Sequence, residues 1–328
     1  MPDPKPNLEQ LQEQLRQAEL AGDPWRQGIA LNNLGSYFKD CRETGKAVNY
    51  FQKALDFFTA LDDREKKATV LTNLGGTYLD LRDYPRALEQ FALALGTYGS
   101  LNHPFGQAMA LNNMGGVHLS LRRFEEARKQ FILASSFFRS AQAPSWEAQA
   151  LENLAAAELG GGDMKTAVET YGRALGIWQK QDRLDRQAMI LNRLAAMHLA
   201  SGDSRRSLEL YSRALALAHK ANNVPLAAAT RASIGRLYFD ARNFNAARTE
   251  FQAALLSFEE LGDKRGQANA LLHLGKIDIA AGLDLVAQAA KLFRESGDGE
   301  GEKQAREILS REQIEPPEVS GKVKERPA

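Results

Sequence analysis

Cysteine is nearly absent: Cys41 is the only one in 328 residues, so the chain forms no internal disulfide and offers no Cys-rich zinc site. Long apolar runs are missing too, with nothing near the stretch of about 18 residues that a membrane span needs. The opening Met1-Pro2-Asp3-Pro4-Lys5-Pro6 lacks the apolar core of a secretion signal. Charge of one sign is not in excess, since 42 Lys and Arg face 41 Asp and Glu. No global field therefore draws the chain to nucleic acid or anionic lipid. These absences point to a cytoplasmic protein with neither a nucleic-acid partner nor a membrane-inserted segment.

What is present is a repeat. Leu31-Asn32-Asn33-Leu34-Gly35 returns at Leu71-Thr72-Asn73-Leu74-Gly75, Leu111-Asn112-Asn113-Met114-Gly115, Leu151-Glu152-Asn153-Leu154-Ala155 and Leu191-Asn192-Arg193-Leu194-Ala195. Weaker copies stand at Arg231-Ala232-Ser233-Ile234-Gly235 and Leu271-Leu272-His273-Leu274-Gly275, so Leu31 to Leu271 is 240 residues, six steps of 40. A second pattern runs in phase: Ala47, Phe51, Ala54 recurs as Ala87, Phe91, Ala94, then Ala127, Phe131, Ala134, then Ala167, Tyr171, Ala174. It continues through Ser207, Tyr211, Ala214 and Ala247, Phe251, Ala254. Spacings of three and four put each trio on one helical face, small residues admitting a neighbouring helix and the aromatic filling the remaining space. Each repeat is thus two helices, A and B.

Turn residues mark the boundaries: Gly162-Asp163, Gly202-Asp203 and Asp83-Tyr84-Pro85 between A and B, and Gly262-Asp263 between repeats. Asp caps the next helix after the glycine has ended the last. Leu8, Leu11 and Leu15 give an apolar stripe ahead of Gly22-Asp23, a half-repeat that covers the first A helix. Phe293 and Gly297-Asp298 follow Phe258 and Gly262-Asp263 by 35 residues instead of 40, which predicts a seventh unit with a trimmed B helix. The expected organisation is a disordered 1–6, a capping helix at 7–22, seven repeats over 23–298, a charged capping helix at 299–313 and a disordered tail at 314–328.

The Asn-Leu-Gly segment of helix A and the Ala-x-x-x-aromatic-x-x-Ala of helix B resemble the tetratricopeptide repeat (TPR) over about residues 7 to 311. The 40-residue unit is most similar to the long-helix class of kinesin light chains and LGN/Pins adaptors, which share the Gly-Asp-x-x-Gly-Gln-Ala entry seen at Gly262–Ala268. The resemblance implies an all-α fold, a right-handed α-solenoid of about seven helix-turn-helix repeats with its A helices lining a concave groove. It also implies protein or peptide binding, with no cofactor.

By that resemblance the position before the Leu of helix A points into the groove. It holds Asn33, Asn73, Asn113 and Asn153, a ladder of groups that donate and accept and so can hold an extended main chain. The competing reading is that these asparagines bond to the adjacent helix. Beside the ladder, Gly76, Gly116, Ala156 and Ala196 leave room for another backbone, and Arg236 and Lys276 then replace them. Arg193, Arg231, Arg236 and Lys276 gather at the later repeats, where an acidic segment can be gripped, unless Asp240 and Asp278 neutralise them. A two-carboxylate clamp of the chaperone-binding type is not matched, because Asn32 and Thr72 stand where its lysines belong.

Signs of catalysis are weak. His118 and His198 occupy positions where the repeat places Tyr and read as packing residues; Gly160-Gly161-Gly162-Asp163 lacks the Lys-Ser/Thr and the preceding strand of a phosphate loop. Cys41 has no partner His, and Trp25, Trp146 and Trp178 fall near repeat junctions. Three functions fit: a non-enzymatic adaptor that binds a partner's peptide segment, a peptide-sensing regulator, and a structural subunit that self-associates.

Overall fold

The computed structural model describes residues 7–278 and 282–312, all-α with no strand among them. The calls on residues 1–6 and 314–328 lie outside the described residues. Two compact units divide the chain, Met1–Lys180 and Gln181–Ala328. The first holds α1 (Leu8–Leu20), α2 (Pro24–Asp40), α3 (Thr44–Ala60), α4 (Arg64–Asp80), α5 (Tyr84–Ser100), α6 (Pro104–Ser120), α7 (Phe124–Ser140), α8 (Pro144–Gly160) and α9 (Met164–Lys180). The second holds α10 (Leu184–Ala200), α11 (Ser204–Lys220), α12 (Val224–Asp240), α13 (Phe244–Glu260), α14 (Lys264–Ile277), α15 (Gly282–Glu295) and α16 (Gly299–Glu312). Even-numbered helices from α2 to α14 are the A helices, and odd-numbered ones from α3 to α15 the B helices. Among the described residues no helix is long and apolar enough to cross a membrane.

From α2 to α13 every helix has 17 residues and begins 20 after the one before. The three-residue link explains that regularity. At Ser201-Gly202-Asp203, Gly202 N–H donates to Leu199 O and Asp203 N–H to His198 O, while the Asp203 carboxylate accepts from Arg206 N–H at 2.9 Å. One link thus satisfies the end of α10 and the start of α11. Asp23, Asp63, Asp83, Asp163, Asn223, Asn243 and Asp263 cap in the same way.

Within each unit a helix packs on its neighbours in sequence, and each A helix touches the next A helix. Ala127, Phe131 and Ala134 are fully buried, and Phe131 lies so close to α6 that a Cβ on Gly115 would stand 2.6 Å from its Cε1. Gly35 and Gly75 make the same room for Phe51 and Phe91. Burying each such ring contributes roughly 2 kcal/mol. Gly106, Gly266 and Gly301 in turn admit Tyr98, Phe258 and Phe293 of the preceding B helix. At the start of the first unit, α1 sets Leu11 and Ala18 into the core beside Leu31 and Leu34.

The seventh repeat differs from the expectation that its B helix alone is trimmed. α14 and α15 have 14 residues each, so the loss is shared by both helices at their corner. There the backbones meet through glycine: a Cβ on Gly275 would stand 2.8 Å from the Gly282 carbonyl oxygen. Ala305, Ile308 and Leu309 of α16 then cover Phe293.

Candidate functional site

The four asparagines of the first unit lie half-buried on α2, α4, α6 and α8, and they fall into two kinds. Asn73 Nδ2 donates to Asn32 Oδ1 at 2.9 Å, and Asn153 Nδ2 to Asn112 Oδ1 at 3.1 Å. Both bonds tie one A helix to the next, as the competing reading anticipates. Asn33 and Asn113 make no side-chain hydrogen bond among the described residues. Each Asn pair still leaves an Oδ1 acceptor on Asn73 or Asn153 and an Nδ2 donor on Asn32 or Asn112 unused by its own bond. Glu152, at the register of Asn32 and Asn112, instead accepts from the indole Nε1 of buried Trp178 at 2.7 Å.

The room beside the ladder is uneven. The Lys39 ammonium reaches across Gly76, 2.8 Å from where a Cβ would be, and pairs with Asp80 at 3.6 Å. Gly116 has nothing within 4 Å of that point and is open. Sequence spacing gave no sign of Lys39, which arrives from the neighbouring helix.

In the second unit Arg193, Arg236 and Lys276 are exposed on α10, α12 and α14. Arg231 is not part of the group, because it pairs with Glu250 of α13 at 3.1 Å. Asp278 lies 3.9 Å from Arg248. Among the described residues neither Arg236 nor Lys276 makes an ion pair. Burial, and then the nearby Arg236 guanidinium, hold the Lys276 ammonium below its ordinary pKa, a like-charge contact across consecutive A helices. His273, at the asparagine register, is committed to packing: its Nδ1 lies 2.9 Å from Asn269 O and its ring stacks on Phe251 at 4.7 Å.

The remaining candidates stay apart. His118 is half-buried and its pKa is lowered by burial, whereas His198 lies 3.7 Å from Asp203. No group of three His, Cys, Asp or Glu that could hold a metal exists among the described residues. Cys41 is exposed where α2 ends, Trp25 donates to Asp63, and Trp146 stacks on Phe138. One buried group went unread in the sequence. Glu158 of α8 is 3% exposed, bonded to Thr170 and facing Arg128, with Oε2 unpartnered. The available signal was substitution: Glu158 stands where other repeats carry Tyr78 and Tyr238, and Arg128 where they carry Leu88 and Val168.

Comparison with known proteins agrees with the repeat architecture. Residues 26–99, 106–180 and 146–220 match the tetratricopeptide repeat family. No curated protein sequence matches the chain. The fold is similar to the crystal structure of aspartyl phosphate phosphatase F from Bacillus subtilis, with TM-score 0.62 and 17% identity over 94% of this chain and 76% of that one. It is also similar to a Rap protein complexed with competence and sporulation factor, with TM-score 0.55 and 17% identity over 94% of this chain and 80% of that one. TPR-like repeats of a putative kinesin light chain from Podosopora anserina give TM-score 0.53 and 14% identity over 61% of this chain and 98% of theirs.

Proposed function

This chain belongs to the tetratricopeptide repeat family, and from that premise we propose that it is a cytoplasmic, non-enzymatic adaptor that binds a peptide segment of a partner protein on its A-helix faces. Asn33, Asn73, Asn113 and Asn153 hold the main chain of that segment in the first unit. Arg193, Arg236 and Lys276 hold acidic residues in the second. The observation that supports this best is the Arg236–Lys276 pair, two cations that depress one another and have no carboxylate partner of their own among the described residues. Like charges placed side by side cost free energy in the free protein, and a bound carboxylate relieves that cost.

The test is selection of peptides from a random display library on the intact chain, followed by affinity measurements on two variants. Arg236→Glu/Lys276→Glu weakens acidic peptides by about tenfold or more. Asn73→Ala/Asn113→Ala weakens all selected peptides, with the helical circular dichroism signal kept. Peptides that bind both variants as tightly as the native chain would refute the assignment.

A second reading, a peptide-sensing regulator, draws on one observation: a similarly folded Rap protein was crystallised with competence and sporulation factor. In that case a selected peptide changes the scattering radius of the chain, whereas an adaptor keeps it constant.

A further inference from the structure

The opposite face of the first unit carries a departure from the repeat that the A-helix reading does not use. Between α3 and α5, floored by α4, lie two overlapping cavities of about 420 and 670 Å³ that share Thr59, Lys67, Leu93 and Thr97. Two positions decide whether such a groove is filled. The wall position holds Phe57, Thr97, Phe137, Ile177, Leu217 and Ser257 along the chain, and the floor position 30 residues earlier holds Gln27, Lys67, Gln107, Glu147, Gln187 and Ala227. Phe57 and Phe137 pack on the adjacent cores and close their grooves. Thr97 is too short to do so, and its hydroxyl is spent on Leu93 O at 2.8 Å.

The floor differs in kind. Gln27 donates to Ala18 O at 3.3 Å, and Gln267, at the same register, donates to Phe258 O at 3.0 Å, tying the A helix to the end of the preceding B helix. Lys67 makes no such bond, and among the described residues it has no ion pair. The acids beside it are occupied: Asp62 pairs with Arg64 at 3.2 Å, and Asp56 accepts from Gln52 at 3.3 Å. Leu93, 51% exposed, stands over the opening, with Leu55 and Leu71 inside it. An apolar vacancy the size of a Phe or Leu side chain thus adjoins an uncompensated ammonium, in the one groove where both departures coincide.

We propose that the α3–α5 groove docks a segment of a partner protein in which an aliphatic residue fills the space left by Thr97 and a neighbouring Asp or Glu pairs with Lys67. Charge complementarity selects the acid, and the missing aromatic selects the apolar neighbour.

The experiment uses the full chain with leucine methyls labelled for NMR and a library of twelve-residue peptides, each with one Leu and one Glu a few positions apart. The best probe shifts the Leu55, Leu71 and Leu93 methyls. Its Glu→Gln form binds about tenfold or more weakly, as a charged hydrogen bond of this kind requires. Lys67→Gln and Thr97→Phe each lower its affinity by a similar factor, and Lys67→Arg retains it. Both disabling variants install residues that sister repeats already carry, so the fold is kept. Arg236→Glu/Lys276→Glu leaves this affinity unchanged, which separates the groove from the A-helix site. A library that never shifts Leu93, a Gln probe that binds as well as the Glu probe, or full affinity in either disabling variant overturns the proposal.

Discussion

Each link between helices puts one residue at positive φ, and at nine of these links it is not glycine. Gln142, with φ 53, is one of them, although Gly162 and Gly202 show what the position prefers. A β-carbon there strains the backbone by about 1 kcal/mol. Gln142→Gly therefore raises stability by up to about that amount, read as a higher denaturant midpoint with an unchanged slope; a lower midpoint would count against the strain argument. The opposite substitution fails for lack of space. Gly115→Ala sets a methyl 2.6 Å from Phe131 Cε1 and costs about 1–3 kcal/mol in the same assay. An unchanged midpoint would mean that the ring moves freely. At this scale the candidate site was partly legible. The spacing of 40 placed all four asparagines on successive A helices, but Asn73 bonds to Asn32, one register away, and spacing alone does not reveal which partner wins. Lys39 over Gly76 was illegible for the same reason, since a long side chain reaches into a neighbour's space.

At the scale of the element, capping and core were readable because each is local. Gly-Asp predicted the link, and the Ala-aromatic-Ala trio predicted the buried face of every B helix from α3 to α13. The seventh repeat was misread because a loss of five residues fixes total length, while packing decides which helix gives way; at Gly275 and Gly282 both did. Glu158 was hidden by its exposed-type chemistry. Burial raises its carboxyl above the ordinary carboxylate range, Thr170, Arg128 and Arg173 oppose that rise, and Asp163 adds to it. The folded chain thus holds this proton more tightly than the unfolded chain, so stability falls as pH rises through the raised value. Below the ordinary carboxylate range both states are protonated and the penalty is gone. Glu158→Gln accordingly stabilises the chain by about 1 kcal/mol near pH 8, the order of an unsatisfied buried group. The gain shrinks toward about pH 4, and equal effects in denaturation at both pH values would contradict the assignment. An exposed capping site behaves differently: Asp203→Ala loses its bond to Arg206 N–H and costs α11 about 0.5–2 kcal/mol.

The whole molecule adds what neither residue nor helix contains. A net charge of +1 concealed a division in which the A-helix register holds neutral asparagines in one unit and Arg193, Arg236 and Lys276 in the other. Composition averages over that division, and only the repeat register recovers it. The same register governs how damage spreads. A helix here packs on its neighbours in sequence and on the equivalent helix of the next repeat, so free energy is held in nearest-neighbour joints. Ala87 of α5 is fully buried beside Phe91, and Ala87→Leu overpacks that joint by about 1–3 kcal/mol. Native-state hydrogen exchange on this variant loses protection in α4 to α7, while α12 to α15 keep theirs. A uniform loss through α15 would show that the repeats unfold as one cooperative block. In that event a peptide bound near Asn73 would also stabilise α14; if the loss stays local, the Asn and Arg236–Lys276 faces bind with separate affinities that combine only through the peptide joining them.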